Sequence, residues 1–425
     1  MTLTNHLPTL VRVSSDSLWF HQDFRRLWAG DTASQFGTFV GHTVLPVLAA
    51  TVLNASPLEM GLLTAAEHAA FLLLGLPAGV WVDRMRRKPL MLRADLARAT
   101  LLLSVPLAWW ADVLTLTHLI VVALLVSVCT LFFDVAYQSY LPFLVGRVKL
   151  VEGNAKLQVS QSVAHVTGPG LAGVLAQVLG AANAVTAVGL SYLASASCLR
   201  RIRAVEPEPE PRAERTLLAD IGEGLRFVFR NPNLRAITTC TAVGNFAGGG
   251  LTAVQVLFLT RHVGLSPAGV GFVLAGAGVG GVLGALAASR LMRVLGQARA
   301  VWLVPLVTWP AELLVPLAAP GWRASLAAIG LAVTGAGIVV YNVAQVSYRQ
   351  AICPDRLLGR MNASVRFVVW GTMPLGGLLG GVLGELIGVP ATVWATASLL
   401  AAAALFVVCS PLRRLRDVPQ TPAAA

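Results

Sequence analysis

Glu67 stands in the middle of an apolar run, from Leu62 to Leu74, with His68 as its neighbour. A carboxylate in such a run is expensive unless it pairs or works. An acid that can exchange a proton with a buried cavity is what ion-coupled chemistry needs, so Glu67 is the first candidate for proton coupling or substrate binding. Asp31, about one turn into an earlier apolar stretch, and Glu312 in a later one are the other candidates, with capping and structural roles left open. Asp134 interrupts a fourth stretch. Asp95 and Arg98 are spaced i, i+3 and can pair locally, which favours a structural role. His42 and His165 look isolated, and a packing histidine is the better reading of each. Gly276-Ala-Gly278-Val-Gly-Gly281 fits the nucleotide-loop spacing G-x-G-x-x-G, but no strand precedes it and it lies in an apolar run, so helix packing explains it better. No catalytic triad, metal cluster or Walker loop is present in the sequence, and no cofactor is expected.

The elements that must carry these residues are long helices. Apolar stretches fall at about 28–53, 58–82, 89–110, 117–142, 157–180, 182–199, 235–260, 267–289, 299–318, 324–348, 362–387 and 390–410. Each approaches the ~20 residues that cross a bilayer core. Backbone groups in lipid must bond within their own segment, so the fold class expected is all-α with twelve transmembrane helices. Of 32 Lys and Arg, only Arg261 and Arg323 fall in connections on one side. That asymmetry predicts a multi-pass protein with both termini in the cytoplasm.

Composition agrees with that reading. The chain has 425 residues, 56% hydrophobic and 12% charged, against about 25% charged in soluble domains. The net charge of +12 sits at helix ends and in loops, where topology needs it, so it is not read as a nucleic-acid surface. The five cysteines have no C-x-x-C spacing, which argues against a disulfide framework or a zinc site. The polar first 27 residues do not read as a signal peptide.

One long polar segment, 200–234, divides the stretches six to six. It opens with Glu206-Pro-Glu-Pro-Glu-Pro211, which its prolines keep from being helical. Leu217, Leu218, Ile221, Leu225 and Val228 then recur at helical spacing around Asp220, Glu223 and Arg226, as in an amphipathic helix lying on the inner membrane face. The domain plan expected is a cytoplasmic segment 1–27, bundles 28–199 and 235–410 joined by the linker, and a tail 411–425. The bundles repeat one another. Asp134-Val-Ala and Ser139-Tyr140 match Asn342-Val-Ala and Ser347-Tyr348 at an offset of 208, and Asn154-Ala155 matches Asn362-Ala363 at the same offset.

Between the second and third stretches the chain reads Gly79-Val-Trp-Val-Asp83-Arg84-Met-Arg86-Arg87-Lys88. This resembles the cytoplasmic signature of the major facilitator superfamily, with Arg86 where that pattern usually has Gly. In the fifth stretch, Gly168-Pro169-Gly170-Leu-Ala-Gly173 resembles the Gly-Pro element of its exporting branches. Phe24-Arg-Arg-Leu-Trp-Ala-Gly30, Asp134 to Pro142, Gly153 to Leu157 and Arg366 to Pro374 look like the enterobactin-exporter and macrolide-efflux branch, over residues 20–410.

The resemblance implies two pseudo-symmetric six-helix bundles around a midplane site. It also implies a gating charge latch that holds the outward-facing state, in which Gly79 lets helices approach, Asp83, Arg84 and Arg87 carry the charge, Asp134 pairs with Arg87, and Arg366 contacts the group or lipid headgroups. The function expected is proton-driven efflux of amphiphilic small molecules such as drugs, macrolides or siderophores, by a monomer in a bacterial inner membrane. Its partners would be substrate, protons and lipid. Uptake by proton symport is the alternative, with a non-transporting sensor or a membrane-embedded enzyme less favoured.

Overall fold

A computed structural model describes residues 17–146, 149–206 and 217–417. The rest of the Glu-Pro run after Glu206 and the side chains of Asp83, Leu217, Leu218, Asp220 and Ile221 lie outside the described residues. The chain forms thirteen α-helices among the described residues: α1 (Gln22–Thr51), α2 (Pro57–Asp83), α3 (Arg87–Trp110), α4 (Leu116–Val145), α5 (Leu150–Leu179), α6 (Ala181–Arg200), α7 (Leu217–Arg230), α8 (Pro232–Leu257), α9 (Pro267–Leu295), α10 (Gln297–Thr308), α11 (Ser325–Ile352), α12 (Asp355–Leu386) and α13 (Val389–Val408). Nine, all but α1, α3, α7 and α10, are long and apolar enough to cross a membrane by length and composition alone. With α1, α3 and α10 they make the twelve expected. Pro310 lacks an N–H, and α10 gives way there to a 3-10 segment, Trp309–Leu314.

Local chemistry sets the helix starts. Ser56 accepts from the Glu59 N–H while the Glu59 carboxylate accepts from the Ser56 N–H, and Pro57 fills the first turn of α2. The second helix of the other bundle begins the same way, with Ser266 capping and Pro267 in the first turn of α9. The internal repeat therefore extends to the caps.

Twelve crossings leave both chain ends on one side, here the terminal end; the opposite side is the far end. At the far end one apolar cluster spans both bundles, with Val44, Leu48 and Leu63 meeting Val254, Leu257 and Val270. At the terminal end the bundles keep separate cores: Phe24, Leu27, Tyr140 and Leu199 in the first, Ile237, Tyr348 and Leu412 in the second.

In lipid the seam gains little from burial itself, so close backbone approach and hydrogen bonds must hold it. A Cβ built on Gly173 of α5 would stand 2.5 Å from the Pro267 carbonyl oxygen and 3.0 Å from Gly271 Cα of α9. A Cβ on Gly61 of α2 would stand 2.7 Å from Gly381 Cα of α12. Gly278, within the glycine run that mimics a nucleotide loop, packs the same way on Val166, 2.7 Å from its Cα. Arg261 adds a polar tie across the far end, donating from Nη2 to the carbonyls of Ala50 (3.2 Å) and Ala55 (2.9 Å).

The amphipathic helix is present as α7. Its second half packs on α12: Val228 is buried with Met361 and Val365, and Glu223 pairs with Arg360. The reason is Gly224, whose missing side chain lets α7 sit against the Arg360 backbone.

Candidate functional site: a cavity between the bundles

The split cores leave a cavity of about 810 Å³ lined mainly by the first bundle, and α12 of the second closes one wall with Arg366 and Trp370. A smaller cavity of about 480 Å³ lies in the second bundle, and Arg366 and Trp370 line it too. The larger one reaches down α5 to Asn154 and Gln158, near the terminal end, where both are exposed.

Helix geometry brings its ionisable residues to one level. Asp31, Arg98, Asp134 and Arg366 each lie roughly 14–17 Å along their helices from the terminal end, at 1.5 Å per residue, and all line the cavity. Asp31 is therefore deeper than one turn, because α1 begins at Gln22, well before the apolar stretch. It is buried, and Gln35 Nε2 donates to its Oδ1 at 3.4 Å. Asp31, Asp134 and Arg98 lie within electrostatic reach of one another.

Arg98 is the best-held side chain in the site. It is 1% exposed and paired with Asp95. Its guanidinium lies between the rings of Phe133 (4.4 Å) and Tyr192 (4.2 Å) and donates to Ser34 Oγ (3.3 Å) and Thr130 Oγ1 (3.4 Å). The i, i+3 spacing foretold the pair, and the aromatic clamp needed α4 and α6 to meet α3. A buried pair of this kind fixes geometry, and removing one partner costs more than the pair gains.

Glu67 lies higher, roughly 15 Å from the far end of α2, and lines the same cavity. Its Oε1 is buried with no hydrogen-bond partner. His68 bonds the Thr64 carbonyl through Nδ1 at 3.0 Å, and the His42 ring stands 6.0 Å from that of His68. His42 is thus not isolated: it faces the cavity beside Glu67. His165 packs edge-on against Phe39 at 4.9 Å, as a packing histidine does. Glu312 lies elsewhere. It is buried in the 3-10 segment of the second bundle and lines neither cavity.

The latch contact expected between Arg87 and Asp134 is not made in this structure. Arg87 Nη1 pairs with Glu206 at 3.2 Å, and no ion pair joins it to Asp134 among the described residues. Glu206 also accepts from the Lys88 N–H at 3.2 Å. Glu206 thus engages Arg87 here, while Asp134 lies deeper, near Arg98 and Arg366. Arg366 lies 5.9 Å over Phe71, whose ring stacks on Trp370 at 5.7 Å. Gly79 packs against nothing within 4 Å and Arg84 is exposed, because the bundles stand apart at this end. The Asp83 side chain lies outside the described residues. The helix 5 element does pack as a small-residue face: a Cβ on Gly168 would stand 2.7 Å from Phe39 Cβ, Gly170 lies under Phe272, and Gly173 meets α9. Pro169 sits within α5.

This arrangement leaves a cavity between two bundles packed together at one end, with carboxylates on its walls. The comparisons with known proteins agree with it. Residues 15–424 match the family model described as "Transmembrane secretion effector". The multidrug efflux pump Tap of Mycolicibacterium fortuitum is 29% identical over 382 residues, covering 86% of this chain and 90% of Tap. The enterobactin exporter EntS of Escherichia coli O81 is 29% identical over 294 residues, 65% of this chain and 66% of EntS. In fold, the nucleoside transporter NupG superposes with a TM-score of 0.75 at 11% identity, covering 92% of this chain and 99% of NupG. A bacterial homologue of the iron transporter ferroportin gives 0.74 at 14%, covering 92% and 98%. The chain belongs to the transmembrane secretion effector family and is a multi-pass membrane transporter of the major facilitator type.

Proposed function

We propose that this transporter exports amphiphilic small molecules in exchange for protons, by alternating access, with Glu67 as the first proton-exchanging group. The observation that carries the reading is an acid with an unpartnered, buried oxygen on the wall of an 810 Å³ cavity. An acid without a partner in a membrane interior is retained for work rather than stability. The efflux pumps among the relatives support the direction, and the volume suits a drug-sized ligand. One proton moving down 100 mV supplies ~2.3 kcal/mol, enough to bias one substrate step. No resident cofactor is invoked; the gradient is the energy source.

The distribution of basic residues supports a cytoplasmic terminal end. On that orientation this is the inward-facing state, sealed outside by the glycine seam. The open latch fits that state: Gly79 and Arg87 would close against their partners when the bundles rock. The same topology supports a bacterial inner membrane, and one chain that holds both bundles supports a monomer.

The test uses everted vesicles with an acidified interior and a panel of cationic dyes, macrolides and siderophores. Substrate-evoked proton release that Glu67→Gln abolishes at equal protein level is the expected result. Release that survives Glu67→Gln moves the proton site to Asp31 or Asp134. Substrate uptake with the proton, instead of exchange, overturns export in favour of symport.

A further inference from the structure

The two cavities differ in charge: the larger is mixed, with Arg98 and Arg366 beside its acids, and the smaller is purely cationic. The larger has three carboxylates, Asp31, Glu67 and Asp134, on its walls. The smaller has none: its charged residues are Arg349 and Arg366, among the amides of Asn245, Asn342 and Gln345. The repeat explains the difference at one position, since Asn342 occupies the place that Asp134 holds in the first bundle.

Arg349 is the anomaly. It is 9% exposed, lines the smaller cavity, and makes no hydrogen bond or ion pair among the described residues; its Nε is buried and unpartnered. A topogenic arginine at a helix end extends to water. This one is held inside the bundle. The C-terminal end of α11 offsets part of its charge, yet a buried guanidinium keeps five N–H donors that need acceptors. Gln345, one turn away, is buried with its Oε1 unpartnered while its Nε2 donates to Asn342 at 2.8 Å.

We propose that the smaller cavity is an anion subsite, in which Arg349, with Arg366 at the junction, binds a carboxylate or phenolate group of the transported amphiphile. The carboxylate-lined cavity takes the cationic or apolar remainder. Arg366 and Trp370 border both cavities, so one molecule can span them. The substrate class is then a zwitterionic or acidic amphiphile. This rests on the transport reading above and goes beyond it, because that reading requires only the larger cavity.

The test compares two dyes that differ in one carboxylate: rhodamine B, a zwitterion, and its ethyl ester, a cation. Equilibrium dialysis against the protein in lipid nanodiscs, with empty nanodiscs subtracted, gives both dissociation constants. The wild type is expected to bind the acid about tenfold or more tightly than the ester, the scale of charge-assisted bonds to a buried group. Arg349→Gln should remove that preference by weakening the acid alone, and Arg349→Lys should restore part of it. Unchanged ester binding in the variants reports an intact fold. Equal binding of acid and ester by the wild type, or equal weakening of both by Arg349→Gln, overturns the subsite and leaves export standing. Loss of binding of both dyes by the wild type overturns the subsite as well, while the vesicle assay judges export independently.

Discussion

Gly173→Ala should push this transporter out of the state described here. The added Cβ would stand 2.5 Å from the Pro267 carbonyl oxygen and 3.0 Å from Gly271 Cα, against the ~3.5 Å of an ordinary contact. Both neighbours are backbone, so neither can rotate away, and the α5–α9 seam must open by roughly 1 Å. Overpacking of that kind costs about 1–3 kcal/mol. The cost exists only while the far end is closed. The gain of alanine over glycine in helix propensity is the same in both states and cancels. The equilibrium between far-end-closed and far-end-open forms should therefore shift roughly 5- to 150-fold towards open. Gly170→Ala, on the same helix, is the control, since its Cβ would lie at an ordinary 3.9 Å from Phe272. Spin labels at the exposed Val178 and Leu386, one in each bundle, report the far-end separation by pulsed dipolar spectroscopy. A longer distance population in Gly173→Ala, absent in Gly170→Ala, is expected. Identical distributions in the two variants would refute the claim that backbone contact at this glycine seals the far end.

The remaining predictions concern the charge network. Arg98→Met leaves Asp95 buried without its cation and should destabilise the folded protein by about 3–5 kcal/mol, read as lost thermal stability in detergent; the double variant with Asp95→Asn should recover much of it. Asp23 gives a pH dependence outside the membrane. Partial burial pushes its carboxyl up, but the Arg203 N–H, the Arg26 guanidinium and the Ala204 N–H outweigh that and hold it below the usual range. A lowered folded-state pKa stabilises above the unfolded value of about 3.9 and stops doing so as pH falls through the folded value. The difference in melting temperature between wild type and Asp23→Asn should thus be present at pH 6 and shrink below about pH 4; a difference independent of pH would show that the carboxylate is not the stabilising group.

Several parts of this protein were legible in one dimension. Helix number follows from apolar runs of membrane length, because the bilayer forces each segment to satisfy its own backbone. The repeat was visible in Asp134 and Asn342, and the small-residue role of Gly168, Gly173 and Gly278 followed from the absence of side chains at helical spacing. The Asp95–Arg98 pair was readable because i, i+3 neighbours share a helix face.

What only the tertiary structure decided is which residues meet across helices. Asp134 faces Arg366 instead of Arg87, because α12 carries Arg366 to its level while Glu206, on the linker, reaches the loop. His42 joins His68 across α1 and α2, Glu312 turns into its own bundle, and Arg349 lines a cavity with no carboxylate. The sequence determines that a charge lies in the membrane, since hydropathy is a local property. Its partner depends on helix rotation and on which end of the seam is closed, and both are set by packing between segments far apart in the chain.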